Sequence, residues 1–437
     1  METINWILLF ALVAITFALL ATVLGRKGRV YEYPFFAGAM FFSFVLPQLP
    51  GLATDPYLPE GAFAKTMVVT LSCAVMLWLG WTISNRPMRA FSYEMCEQRL
   101  ITAAAVLSAL GAFFYFKISH LPVEVRDLSL PTGLPVAYNF FAKMLGYGFA
   151  LATICFVRTR SRVALAIALF GATFYLERII FAGRRGDTSE FVLIILLSHW
   201  FERGRTVPRA LALAAVLVGT LVMNSTGDYR KVAKTEEGPS LDRIMQIDFV
   251  GNIKDLLANG GPEMLNAIYK INAIDQNMIL DFGAFHWNTL VFNYIPAQVT
   301  GTEFKELLFI PIRNPYAFTK HAPATGSTET GMADGFGSFW YLGAVKFFLI
   351  GLVLKRLYCA ALQRSIPGQL LYMLLLTPGM LAITHHTHFI LNIWVHLSIF
   401  LYPVLIWARR PVSRFEPAPA MQSGPIRAEA HQAFSPR

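Results

Sequence analysis

Charge is what this chain has least of. Asp, Glu, Lys and Arg make up 15% of its 437 residues, against about a quarter in ordinary soluble domains. Two or three soluble domains, which the length alone would allow, need a solvated surface that this composition does not supply. Alternating segments of ~10 residues, the mark of a membrane β-barrel, are missing as well. Only four cysteines occur, Cys73 and Cys155 in apolar runs and Cys96 and Cys359 in basic connecting segments, so no disulfide framework is implied. The chain has no Walker-type loop, no Asp-x-Asp pair in its first outer segment and no GxSxG turn. These absences argue against ATP-driven transport, metal-dependent glycosyl transfer of the usual membrane type, and hydrolase chemistry. No internal repeat is evident. The first apolar run lacks a basic region before it and carries Arg26, Lys27 and Arg29 after it. That order fits a retained first helix with an outside N-terminus, not a cleaved signal.

What the chain does have is apolar length: 55% of residues are hydrophobic and Phe alone occurs 36 times. A hydrocarbon core ~30 Å thick takes about 20 such residues per helical crossing. Eleven spans are expected, at 4–24, 31–47, 63–83, 100–117, 136–157, 163–182, 188–201, 210–224, 336–354, 365–384 and 388–407. The expected fold class is therefore all-α, a polytopic integral membrane protein. Its parts would be a membrane domain over 1–224, a large outer loop over 225–335, three further helices over 336–407 and a disordered inner tail over 408–437.

The net charge of +10 does not point to nucleic acid, because the positive residues cluster at the ends of apolar runs. The six segments placed inside hold 20 of the 37 Lys and Arg, while the short outside segments hold only Arg126, Arg184 and Arg185. This asymmetry sets the orientation. The seventh span offers only about 14 residues, ~21 Å of helix. It is kept because without it Arg203, Arg205 and Arg209 would be stranded outside.

Within the loop, Ser240 is placed to cap a helix running through Leu241, Ile244, Val250, Ile253 and Leu257 to a stop at Gly260-Gly261. Pro262 and Glu263 suit the first turn of the next helix. The apolar stretch from Phe285 to Ile295 is too short to span and suits the membrane interface.

Several residues could carry chemistry. Arg184 and Arg185 lie where the orientation rule disfavours positive charge, and Glu177 and Arg178 sit inside a membrane helix, where ionisable groups are costly and default to functional or paired roles. One reading is a salt bridge of Glu177 with Arg178 or Arg184 and headgroup contacts by the arginines. The other is an anion site, since guanidinium forks match phosphate oxygens. The loop adds Asp228, Arg230, Lys231, Arg243, Arg313, Lys320 and His321, most of them ordinary solvated charges. Arg313 and Lys320-His321 stand out because they approach the return to the membrane. The run from Gly326 to Gly337, which contains Glu329, has glycines that permit close backbone approach to a ligand or an unusual bend. His385, His386 and His388 fit an interfacial polar cap better than a metal site, because neighbours cannot share one helix face and no Cys or carboxylate converges on them.

The eleven-helix pattern, the Ala-Gly-Arg184-Arg185-Gly turn and the late outer loop together resemble the O-antigen (oligosaccharide repeat unit) polymerases of bacterial envelopes. The stretches Asn293-Tyr-Ile-Pro296, Pro311-Ile-Arg313-Asn-Pro315 and Gly326 to Gly343 add to the resemblance, which is strongest over 163–355. It implies an enzyme of the inner membrane, with its C-terminus cytoplasmic, that moves a growing glycan from undecaprenyl pyrophosphate onto the next lipid-linked repeat. It implies no metal and no cofactor. Arg184, Arg185 and Arg313, with Arg178 and Arg230, would stabilise the leaving pyrophosphate. His321 or Glu329 would serve as general base. Expected partners are the lipid-linked oligosaccharide, membrane lipids, a chain-length regulator and other polysaccharide-assembly proteins, and no nucleic acid. The rival expectations are an O-antigen ligase and a transporter of lipid-linked saccharides.

Overall fold

Helix is the only regular structure among the described residues of the computed structural model, which are 2–26, 28–88, 93–122, 133–233, 240–324 and 326–410; one isolated bridge pairs Met95 with Arg409. The tail from Pro411, expected to be disordered, and Arg126 lie outside the described residues. The helices that matter below are α1 (Glu2–Ala21), α2 (Tyr33–Met40), α3 (Ala62–Thr82), α4 (Glu97–Ser119), α5 (Leu134–Ala142), α6 (Met144–Thr159), α7 (Arg162–Ala182), α8 (Arg185–Arg203) and α9 (Arg209–Asn224). They are followed by α10 (Thr226–Ala233), α11 (Phe249–Asn259), α12 (Pro262–Asn277), α13 (Ala284–Tyr294), α14 (Gly331–Phe339), α15 (Val345–Leu362), α16 (Ile366–Thr384) and α17 (His388–Ala408).

Among the described residues eight helical stretches are long and apolar enough to cross a membrane, or nine if α9 and α10, bent by 60° at Ser225, count as one. The chain is an α-helical membrane protein. The three expected spans outside the eight differ from them for separate reasons. The second is not one helix: α2 gives way to a π turn over Phe41–Val45 and a 3₁₀ turn over Leu46–Gln48. Pro47 and Pro50 lack the amide hydrogens that a continuous helix needs there. The seventh, α8, has 19 residues, ~28 Å of helix, so it is longer than the apolar run suggested. Its ends carry Arg185, Asp187, Glu190, Glu202 and Arg203, while Leu193, Ile194, Leu197 and Phe201 are buried. The eighth, α9, has 16 residues.

Burial grades the helices by position. In α16, 83% of the apolar window is buried, against 22% in α7 and α17. A helix apolar all round belongs at the centre, and α7 and α17 show lipid-type side chains outward. Ser365 caps α16, accepting from Gly368 N, and Pro367 sits in its first turn, where its missing N–H costs nothing. The central helix thus runs to Thr384 and delivers His385 and His386 at its end.

The segment between α10 and α14 folds against that same end. The helix expected from Ser240 to Leu257 is two: Ser240 caps Leu241–Met245, and Asp248 then accepts from Gly251 N at 2.7 Å to start α11 afresh. Gly260 and Pro262 end α11 and begin α12 as the sequence pattern indicates. Gln48 pins α12 to the membrane helices through its carbonyl to Gly261 N and its Oε1 to Met264 N.

Candidate functional site

The loop-bearing end of the bundle collects ionisable side chains from α8, α10, α12, α13, α14 and α15 and from the segments that join the helices. The turn between α7 and α8 is the first contributor. Gly183 closes α7 at φ +57°, and a Cβ there would lie 3.1 Å from the Tyr229 ring. The absence of a side chain lets α10 pack on the turn, with Tyr229 Oη donating to Ile180 O at 2.7 Å. Arg230 therefore arrives beside the Arg184-Arg185 pair.

The pair itself splits. Arg184 is the N-cap of α8, exposed, and lies in the electrostatic reach of Tyr115, whose hydroxyl is hydrogen-bonded to Glu177. Arg185 turns inward, donates to Met223 O at 3.0 Å, and lies in the electrostatic reach of Arg230 and Glu263. Arg178 is not with them: it pairs with Asp187 at 3.3 Å and lies over the Tyr175 ring. The salt bridge inside α7 is thus made with the next helix, not with Glu177. Arg313 is exposed ahead of the Pro315–Phe318 turn and does not join the group around Arg185. Of five arginines singled out in the sequence, the fold unites Arg185 and Arg230.

His385 faces these two. Its Nδ1 lies 2.7 Å from Thr384 Oγ1 and its ring stacks at 6.3 Å on Phe44, which the π turn presents. Burial first, then the positive fields of Arg185, His386 and Arg230, pull its pKa down to about 4. The imidazole is neutral at neutral pH. In the tautomer that donates Nδ1–H to Thr384, Nε2 keeps its lone pair for a proton. Burial raises the pKa of Glu263, opposite Arg185, and the two guanidiniums outnumber this one carboxyl, so the group is positive in either state of Glu263.

Next to His386 lies a buried charge centre. Asp334, fully buried in α14, accepts from Thr387 N at 2.6 Å and Thr387 Oγ1 at 2.9 Å, and pairs with Lys346 Nζ at 3.1 Å. His286 Nε2 and His386 Nδ1 lie 3.6 and 3.8 Å from its oxygens. Burial lowers the pKa of both histidines. Lys346 also donates to Ser338 Oγ at 2.9 Å. An ionised pair in a membrane helix persists only when it is hydrogen-bonded on all sides. Close backbone contact makes that possible: a Cβ on Gly331 would fall 1.7 Å from Ala382 O. The glycine-rich run thus serves helix packing at this position.

His321 and Glu329, the expected base candidates, lie on the far side of His386. Glu329 forms an ion pair with Lys270 and faces the Tyr316 hydroxyl. His321 Nε2 bonds Asn266 Oδ1 at 2.7 Å, its ring stacks on Tyr269 at 4.5 Å, and burial lowers its pKa. The polar layer has two lobes, one at Arg185, Arg230 and His385 and one at Lys270, Glu329 and His321. Asp334 lies in the glycine-rich run that the sequence singles out, but the sequence pattern assigned no role to it, to Lys346 or to His286. The signal available for Asp334 and Lys346 was an acid and a base at the head of an apolar run.

An apolar groove of about 590 Å³ runs beside the first lobe, lined by Trp6, Leu9, Phe42, Leu46, Leu221 and Leu257. Its wall is shared with the polar layer: Phe42 faces the groove, while Ser43 bonds Thr220 Oγ1 at 2.8 Å and Phe44 meets His385. Among the described residues no group of three or more His, Cys, Asp or Glu is placed to hold a metal ion. Comparison with protein-family profiles, curated proteins and solved structures finds no match.

Proposed function

We propose that the chain extends lipid-linked glycans at the outer face of a bacterial inner membrane, joining oligosaccharide repeat units carried on undecaprenyl pyrophosphate. Eleven crossings, with 225–335 outside and the C-terminus inside, go with this reading. The observation that carries it is the pairing of a positive cluster, half-buried at Arg185 and exposed at Arg230, with an apolar groove that shares the Phe41–Val45 turn with it through Phe42 and Phe44. That combination suits an amphiphile with an anionic headgroup and a long hydrocarbon chain. In the reaction the acceptor hydroxyl oxygen attacks the donor anomeric carbon. The bond from that carbon to the diphosphate oxygen breaks, and the diphosphate leaves with the electron pair. Arg185 and Arg230 stabilise the charge that develops on it. The hydroxyl proton passes to His385 Nε2, assigned over His321 and Glu329 because of the three only its imidazole lies in the electrostatic reach of Arg185 and Arg230.

Purified protein in proteoliposomes, given only short lipid-linked repeats, is expected to produce a ladder of longer glycans. Repeats extended only after an acceptor lipid is added would instead identify a ligase. Repeats of unchanged length with altered sidedness would identify a transporter, for which the buried Asp334–Lys346 pair is the feature that speaks.

A further inference from the structure

The region 282–312 carries only three Asp, Glu, Lys or Arg residues, Glu303, Lys305 and Glu306. It doubles back on itself: α13 runs out to Tyr294, and the returning chain lies antiparallel along it. Lys305 Nζ donates to Phe292 O at 3.0 Å, Trp287 Nε1 to Leu308 O at 2.8 Å, and Asn288 exchanges bonds with the backbone of Ile310 at 2.7 and 2.9 Å. With those polar groups satisfied inside the hairpin, its other surface is apolar. Leu307 is 83% exposed, Phe304 50% and Ile310 46%. Phe304 and Leu307 are three apart on the short helix Thr302–Leu307, so they share a face that Glu303 and Glu306 do not.

The depth of the hairpin follows from its attachments. Tyr294 Oη donates to Asn392 O, and the Tyr294 ring meets Phe140 of α5 at 5.6 Å. Asn392 is four residues inside the membrane span α17, ~6 Å below its start. The exposed apolar face therefore continues the lipid-facing surface of the bundle. Trp287 and Lys305 lie in it as side chains suited to a membrane–water boundary do.

We infer that residues 282–312 form an interfacial hairpin whose Phe304–Leu307–Ile310 face is embedded in the acyl region of the adjacent leaflet. The inference depends on the membrane-spanning helices alone and not on the proposed reaction. It widens the sequence expectation, which placed only 285–295 at the interface.

The test uses spin labels on the full chain in phosphatidylethanolamine–phosphatidylglycerol vesicles, in a Cys96→Ser background, since the other three thiols are buried. Labels at Leu307→Cys and, independently, Phe304→Cys are compared with Leu391→Cys, on a span facing lipid, and Lys320→Cys, in an exposed loop. Collision with oxygen should exceed collision with a water-soluble nickel chelate at 304 and 307, as at 391. Nickel accessibility equal to that at 320 would overturn the inference. So would shielding from both reagents, which would mean that protein covers the face.

Discussion

Arg184 and Arg185 are neighbours in sequence and strangers in space. Arg184 is the extended N-cap residue and Arg185 the first helical one, so one guanidinium lies toward Tyr115 and the other toward Arg230 and Glu263. The sequence exposed the pair, because positive charge is out of place there, but could not say that a residue 45 positions later would complete the cluster. His385 was equally visible. A search for metal spacing rejects adjacent histidines, whereas under the proposal His385 serves alone, its imidazole kept neutral by burial and by the arginines. Because the His385 pKa is lowered to about 4, its base form persists through neutral and mildly acidic pH. Glycan extension should be flat from pH 7 downward and fall as pH drops through about 4, provided the protein stays folded. The His385→Gln variant should lose ~100-fold or more in rate, the usual range for a general base. A wild-type profile falling near pH 6.5 would remove His385 from that role.

Elements were legible where one pattern ruled and obscure where two competed. The apolar runs of α1, α3, α4, α7, α16 and α17 gave their positions directly. In α8 the charged ends masked five helical residues, because Asp187 and Glu202 find partners in Arg178 and Arg158 that hydropathy cannot foresee. The π turn at Phe41–Val45 reads in sequence as an ordinary apolar span, yet it turns Phe42 to the groove and Phe44 to His385. The junction of α14 and α15 is held by the Asp334–Lys346 pair, with Thr387 tying it to α17. Removing one partner leaves a buried charge unmatched, a loss of about 3–5 kcal/mol. The Lys346→Met variant should therefore melt well below wild type in detergent. The double variant with Asp334→Asn should recover much of the difference, since no bare carboxylate remains. Equal melting of the single and double variants would show that the pair contributes packing rather than charge compensation.

At the scale of the whole molecule, the proposed orientation, argued from the distribution of Lys and Arg, puts the arginine cluster outside. An Arg184→Cys label, exposed in the structure, should react with a membrane-impermeant thiol reagent added to spheroplasts and be silent to it in inverted vesicles. The reverse pattern would put the site in the cytosol, where lipid-linked repeats awaiting polymerisation are not found under this account.

The proposal rests in the end on Arg185 and Arg230 acting together on a departing diphosphate, and side-by-side extension kinetics of their alanine variants test that most directly. Each substitution removes a charge-assisted contact of about 1.5–3 kcal/mol, so Arg185→Ala and Arg230→Ala should each slow extension by roughly 10- to 100-fold. Arg184→Ala and Arg313→Ala, which lie outside the cluster, should stay within a few-fold of wild type. Extension at the wild-type rate by the Arg185→Ala/Arg230→Ala double variant, folded and membrane-inserted, would contradict the account.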